Sequence, residues 1–264
     1  MGIRRELIFI FAFSAFLYFV STAFCQPEPI QIKPVLQGKG AGPYRILFIG
    51  NSFSYRNGLP KVLSKLAASA RPSVSVETVQ YTLPGYSLEK HWGDEDALNE
   101  IRRGDWDVVI LQEQSMRPID DVKTMHYYAT KIHGEIKKIG AQTLFFMTWA
   151  YKHRPEMIEG LAQAYQAIGR RLGARVAPVG LAWKRALERR PDLPLHDPDR
   201  YHPSPHGTYL TACVFYAVLV GRSPQGLSNG GMEIITEEQK SLLQTVAWEI
   251  VLAHQRESGK SPSQ

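Results

Sequence analysis

The sequence predicts a three-layer α/β/α domain on a doubly wound, parallel sheet of five strands, and three observations carry that prediction. Short apolar runs alternate with amphipathic stretches from residue 44 onward. Those runs are apolar almost throughout rather than at every second position, as in strands covered on both faces of a parallel sheet. At 264 residues, 44% hydrophobic and 21% charged, the chain suits one full-sized globular domain and is short for two.

Strands are expected at residues 45–49, 75–79, 108–111, 143–148 and 175–178; the first of them are β-branched and too short for helices. Helices are expected at 58–70, 88–103, 122–139, 156–172, 181–189, 205–220 and 237–254. Four of these close on a basic pair: Arg102-Arg103, Lys137-Lys138, Arg170-Arg171 and Arg189-Arg190. Cations there complement the negative end of the helix dipole. The helix at 205–220 has a start signal instead, Ser204 as N-cap and Pro205 in the first helical position. Right-handed crossovers between such strands place a ligand crevice at their carboxyl ends.

Outside this domain, assigned to residues 43–256, the ends read differently. Arg4 and Arg5 precede an apolar stretch from Leu7 to Val20 and small residues at Ser21, Thr22 and Ala23. This is the layout of a signal peptide over residues 1–25, which makes the protein exported, periplasmic or secreted. Cleavage after Ala23 or after Cys25 fits the pattern. Lipid anchoring at Cys25 is the lesser reading, because bulky Phe24 stands where a small residue is needed. The apolar stretch falls short of the ~20 residues that span a bilayer, so no stable membrane span is expected. Residues 26–42, rich in Pro and Gly, read as a tether, and 257–264 as a disordered tail. Cys213 reads as a small core residue of the helix at 205–220.

The formal charge is +6, but the basic residues are scattered in the helix-end pairs, with no run interleaved with aromatics; nucleic acid is not an expected partner. His133, His153 and His196 lack metal-ligand spacing, so neither metal nor cofactor is called for.

The residues just past each strand carry the chemistry. Ser52 follows Gly50 and Asn51 at the first strand end, where a sharp turn exposes a hydroxyl to the crevice. No Gly-x-Ser-x-Gly elbow surrounds it. Some 150 residues later, Asp199 and His202 are three apart in a loop that Pro203 keeps from becoming helix. An aspartate bonded to one ring nitrogen fixes the tautomer and frees the other nitrogen as a base.

Taken together, Gly50-Asn51-Ser52 and Asp199-x-x-His202-Pro203 resemble the SGNH hydrolases, or GDSL esterase/lipase group, over residues 44–221. The resemblance implies a flavodoxin-like strand order and a Ser-His-Asp triad of Ser52, His202 and Asp199. Phe48-Ile49-Gly50-Asn51-Ser52 matches the nucleophile block, with Asn51 in place of its usual aspartate. Leu83-Pro84-Gly85-Tyr86-Ser87 matches the second block and assigns Gly85, with the Ser52 amide, to the oxyanion hole. The third block departs: Gln112-Glu113-Gln114-Ser115 stands where the family has Gly-x-Asn-Asp. Strand register puts Gln114 on the asparagine and Gln112 on the glycine, and either amide can donate the required hydrogen bond. The run resembles a divergent bacterial branch of the group.

Gln112, Trp149, Tyr151 and His91 are expected on the substrate side, with core packing the alternative for Trp149 and Tyr151 to stacking on sugar rings. Glu113 is expected to pair with an Arg or Lys, and His206 to face solvent. The resemblance and the export pattern together imply a carbohydrate O-acetylesterase or other short-acyl esterase acting on a small-molecule or glycan ester. A lysophospholipase or thioesterase on the same triad is the alternative enzyme, and a non-catalytic carbohydrate-binding module the alternative of another class.

Overall fold

The computed structural model describes residues 32–38 and 42–259. The expected signal peptide at 1–25 and residues 260–264 of the expected tail lie outside them. In chain order the elements are β1 (Tyr44–Gly50), α1 (Ser52–Tyr55), α2 (Leu59–Ser69), β2 (Val76–Thr82), α3 (Leu88–Trp92), α4 (Glu95–Arg103), β3 (Val108–Leu111), α5 (Arg117–Asp120), α6 (Val122–Lys138), β4 (Gln142–Phe146), α7 (Met157–Leu172), β5 (Arg175–Ala177), α8 (Val179–Arg189), α9 (Pro205–Val220) and α10 (Glu237–Gly259). A 3-10 turn, Arg56–Gly58, joins α1 to α2.

All strand pairings are parallel, in the order β2-β1-β3-β4-β5. Alternate side chains of each strand point to opposite faces, and each face has its own apolar layer. Ile46, Phe48, Val108, Ile110, Leu144 and Phe146 pack beneath α2, α8, α9 and α10. Leu47, Ile49, Val109, Leu111 and Phe145 pack beneath α3, α4, α6 and α7. The helix α9 is apolar all round because it is covered all round, with even His206 and Cys213 buried. Burial pushes the Cys213 thiol well above its ordinary range, as suits a packing residue.

The structure corrects three expectations. The stretch 88–103 is two helices: α3 ends at Gly93, and Asp94 then caps α4 by accepting from the Asp96 amide. Residues 32–38 are not a tether. Ile32, Val35 and Leu36 are buried in the core. The Val35 and Leu36 amides donate to the Val218 and Leu219 carbonyls at 3.2 and 2.9 Å. These carbonyls belong to the last turn of α9, which lacks acceptor-satisfying partners within the helix. The segment therefore closes a helix end and shields an apolar patch, and the domain begins by residue 32. At the other end α10 continues to Gly259, past the expected boundary at 256. Among the described residues no helix is long and apolar enough to cross a membrane.

Candidate active site

The carboxyl end of β1 turns at Gly50, where a Cβ would fall 2.6 Å from both Gln112 Oε1 and Ser54 Oγ, so no side chain fits. Asn51 follows as the N-cap of α1; its Oδ1 accepts the Phe53 amide at 3.1 Å. Its Nδ2 donates to the Tyr86 carbonyl at 3.0 Å. An aspartate has no proton for that second bond, so asparagine ties the nucleophile turn to the loop after β2 in a way an aspartate would not. Ser52 is the first residue of α1.

On the opposite wall Asp199 Oδ1 accepts the Tyr201 and His202 amides at 3.1 and 2.9 Å, wrapping the loop around the carboxylate. Its Oδ2 lies 2.7 Å from His202 Nδ1, and His202 Nε2 lies 2.8 Å from Ser52 Oγ. With Nδ1–H donating to the carboxylate, Nε2 is the lone-pair nitrogen and accepts the serine hydroxyl. Burial by itself would raise the Asp199 carboxyl, but the bonds from His202 and Tyr201 hold it below the usual carboxylate range. The loop is pinned from outside: Asn57 Nδ2 donates to the Pro203 carbonyl at 2.7 Å, and Trp149 Nε1 to the Tyr201 carbonyl at 3.0 Å. Arg200 adopts a left-handed φ of 72° just before the histidine, a conformation the surrounding contacts must support.

Leu83-Pro84-Gly85-Tyr86 forms a turn in which the Tyr86 amide donates to the Leu83 carbonyl at 3.2 Å. Gly85 has φ of 67°, which proline followed by glycine supplies at low cost. Gln114 Oε1 accepts the Met116 and Arg117 amides at 2.9 and 3.1 Å, so its NH2 group is turned the other way, 3.4 Å from Ser115 Oγ. Ser52, Gly85, Gln114 and His202 line one open cavity of about 530 Å³. Tyr151, bonded to Ser115 Oγ at 2.7 Å, and Tyr201 form an aromatic wall beside it, rings 5.7 Å apart. A second cavity of about 680 Å³ lies beyond the same histidine loop and holds no triad side chain.

Three expected substrate contacts lie elsewhere. Gln112 is fully buried and props the nucleophile turn: Oε1 accepts the Asn51 amide at 2.8 Å and the Ser54 hydroxyl at 3.0 Å. Trp149 is buried, stacked between Phe53 at 4.6 Å and Trp183 at 4.1 Å. His91 is buried beneath the turn, with Nε2–H donating to the Gly50 carbonyl at 2.8 Å, and burial lowers its pKa. In each case the polar atom that looked available for substrate is spent on the backbone that carries Ser52 or His202. Glu113 has no direct salt bridge among the described residues; it accepts the Leu88 and Gln114 amides at 3.1 and 2.6 Å. His206 is buried and 3.1 Å from Gln239 Oε1.

The sequence reading missed Arg56 and Tyr201. Arg56 reaches the triad's flank, its guanidinium 3.7 Å from Asp197 and from Asp199 and 3.2 Å from His202 Nδ1. The Tyr201 ring lies 4.3 Å from the His202 ring. Tyr201 sits inside the Asp-x-x-His block, so the signal for it was present; nothing in the sequence singles out Arg56.

Solved structures share this fold. A protein of the DUF4886 family from Bacteroides uniformis is 20% identical with TM-score 0.68, over 80% of this chain and 95% of that one. A protein from Slackia heliotrinireducens described as a candidate SGNH hydrolase is 23% identical with TM-score 0.58, over 67% of this chain and all of that one. The fold is that of the SGNH hydrolases. Axe2, an acetylxylan esterase from Geobacillus stearothermophilus, has the same fold at 16% identity and TM-score 0.54, over 68% of this chain and 95% of that one. No family model and no curated relative matches the chain. Measured against the SGNH blocks, the chain keeps serine, glycine, aspartate and histidine and replaces the third-block asparagine by Gln114.

Proposed function

We propose that the protein is an ester hydrolase with Ser52 as nucleophile, His202 as base and Asp199 as its orienting carboxylate. The observation that carries this reading is the continuous relay from Ser52 Oγ through His202 to Asp199, at 2.8 and 2.7 Å. Such spacing on an SGNH fold is difficult to account for in a binding module, which needs no base on its serine.

The chemistry follows from the positions. Ser52 Oγ attacks the ester carbonyl carbon as its proton passes to His202 Nε2, and Asp199 stabilises the imidazolium. The carbonyl oxygen, now negative, is held by the Ser52 and Gly85 amides and the Gln114 side-chain NH2. Collapse breaks the bond to the alcohol oxygen, which takes the proton from His202, leaving an acyl-serine. Water, deprotonated by His202, attacks that acyl carbon; the acid departs and Ser52 recovers its proton.

The substrate class is a short-acyl ester on a carbohydrate, with O-acetyl the leading case. An open cavity of about 530 Å³ walled by Tyr151 and Tyr201 suits a sugar ring stacked beside the serine. The acetylxylan esterase among the structural neighbours supports the same class. Export by the N-terminal segment at residues 1–25 would bring the enzyme to such glycans. Turnover of nitrophenyl acetate and of acetylated oligosaccharides by wild type, lost in Ser52→Ala, is the expected result. Equal rates in both proteins would end the catalytic assignment, and a preference for long acyl chains would move the substrate to lipids or thioesters.

A further inference from the structure

We propose that Glu113 is a positioning residue that holds the two segments carrying the Gly85 and Gln114 donors of the oxyanion hole at a fixed separation, an inference that rests on the esterase reading above. The two donors come from different segments: Gly85 from the turn after β2, and Gln114 from the loop after β3. One carboxylate oxygen joins those segments. Glu113 Oε1 accepts the Gln114 amide at 2.6 Å and, across the crevice floor, the Leu88 amide at 3.1 Å. Leu88 opens α3 three residues after Gly85, with Ser87 as its N-cap. Glu113 is 1% exposed, and its backbone is anchored from behind, its amide donating to the Tyr165 hydroxyl oxygen at 3.2 Å. The bridge is therefore built on a rigid support rather than on a solvated side chain.

The other oxygen, Oε2, is buried without a partner. A proton placed on Oε2 leaves Oε1 free to accept both amides, so the bridge needs an acceptor and not a charge. This distinguishes Glu113 from an electrostatic or proton-transfer group, and it makes Gln the faithful substitute and Asp, one methylene shorter, the faulty one.

The test compares kcat and KM for nitrophenyl acetate among wild type, Glu113→Gln, Glu113→Asp and Glu113→Met, with thermal melts to show that each is folded at the assay temperature. A displacement of about 1 Å in a positioned donor costs up to about a hundredfold, so Asp and Met are each expected to lower kcat at least about tenfold with KM changed less than about threefold. Gln is expected to restore kcat to within about threefold of wild type, on the same scale. Met fills the buried volume without accepting a hydrogen bond and carries the test if Asp does not fold. Either folded variant, Asp or Met, turning over at the wild-type kcat would overturn the inference, as would Gln falling as far as Met. Wild type that neither hydrolyses esters nor is labelled at Ser52 by a fluorophosphonate would overturn the esterase reading and the inference with it; labelled, active wild type beside unaffected variants would overturn the inference alone.

Discussion

Replacing Glu113 by Gln is expected to make the protein's stability respond differently to pH, by an amount that follows from where the carboxyl sits. Burial pushes the Glu113 pKa from the ordinary 4.5 up to about 7; the two backbone hydrogen bonds and Arg117 oppose the rise, and Glu89 adds to it. Between those pH values the unfolded chain has released the proton and the folded chain still holds it. Stability due to this group is thus full below about 4.5, falls as pH rises, and is lost above about 7. At about 1.4 kcal/mol per pH unit the loss is about 3 kcal/mol. Gln does not ionise and escapes it. His91, buried nearby with a lowered pKa, acts in the opposite sense but equally in both proteins, so it cancels in the difference. Urea unfolding at about pH 4.5 and about pH 8.5 supplies the comparison. The stability of Glu113→Gln relative to wild type is expected to rise by about 3 kcal/mol from the lower pH to the higher. A difference that stays constant would refute the reasoning, because the carboxyl would then ionise as freely in the fold as out of it.

Other substitutions probe the supports of the site. Trp149→Ala opens a cavity between Phe53 and Trp183 and frees the Tyr201 carbonyl; a loss of about 3–5 kcal/mol in urea unfolding is expected, with kcat falling more than KM changes. Asn51→Asp sets a carboxylate 3.0 Å from the Tyr86 carbonyl, and is expected to cost about 1–3 kcal/mol in the same measurement. Val35→Asp buries an unpaired charge against the end of α9, and a drop of several kcal/mol is expected; a melting temperature within a degree or so of wild type would return residues 32–38 to the status of a tether.

The layers were legible because near-continuous apolar runs and helix-end basic pairs report burial and helix ends directly, whereas the strand order came from the family resemblance. The short helices α1 and α5 were not, since four residues carry no periodicity. Residues 32–38 were misread because Pro and Gly dominate their neighbourhood, while Ile32, Val35 and Leu36 are too few to show a pattern until α9 offers them a surface. At the site, Ser52, Asp199 and His202 were legible because their two blocks together resemble the SGNH pattern, and the structure brings all three together. Gln112, Trp149 and His91 were misplaced for one shared reason. A polar or aromatic residue just past a strand faces either the crevice or the turn beneath it, and only the three-dimensional path of that turn decides which. Gln114 and Gln112, two residues apart, fall on the two sides of that division.

The most direct test of the central claim is active-site labelling with a fluorophosphonate, read by mass spectrometry of wild type, Ser52→Ala and His202→Ala. A single covalent adduct on Ser52 in wild type is expected, absent in Ser52→Ala and formed at least about a hundredfold more slowly in His202→Ala, since the base activates the nucleophile. Labelling of another residue, or of Ser52 at the same rate without His202, would contradict a serine hydrolase built on this relay.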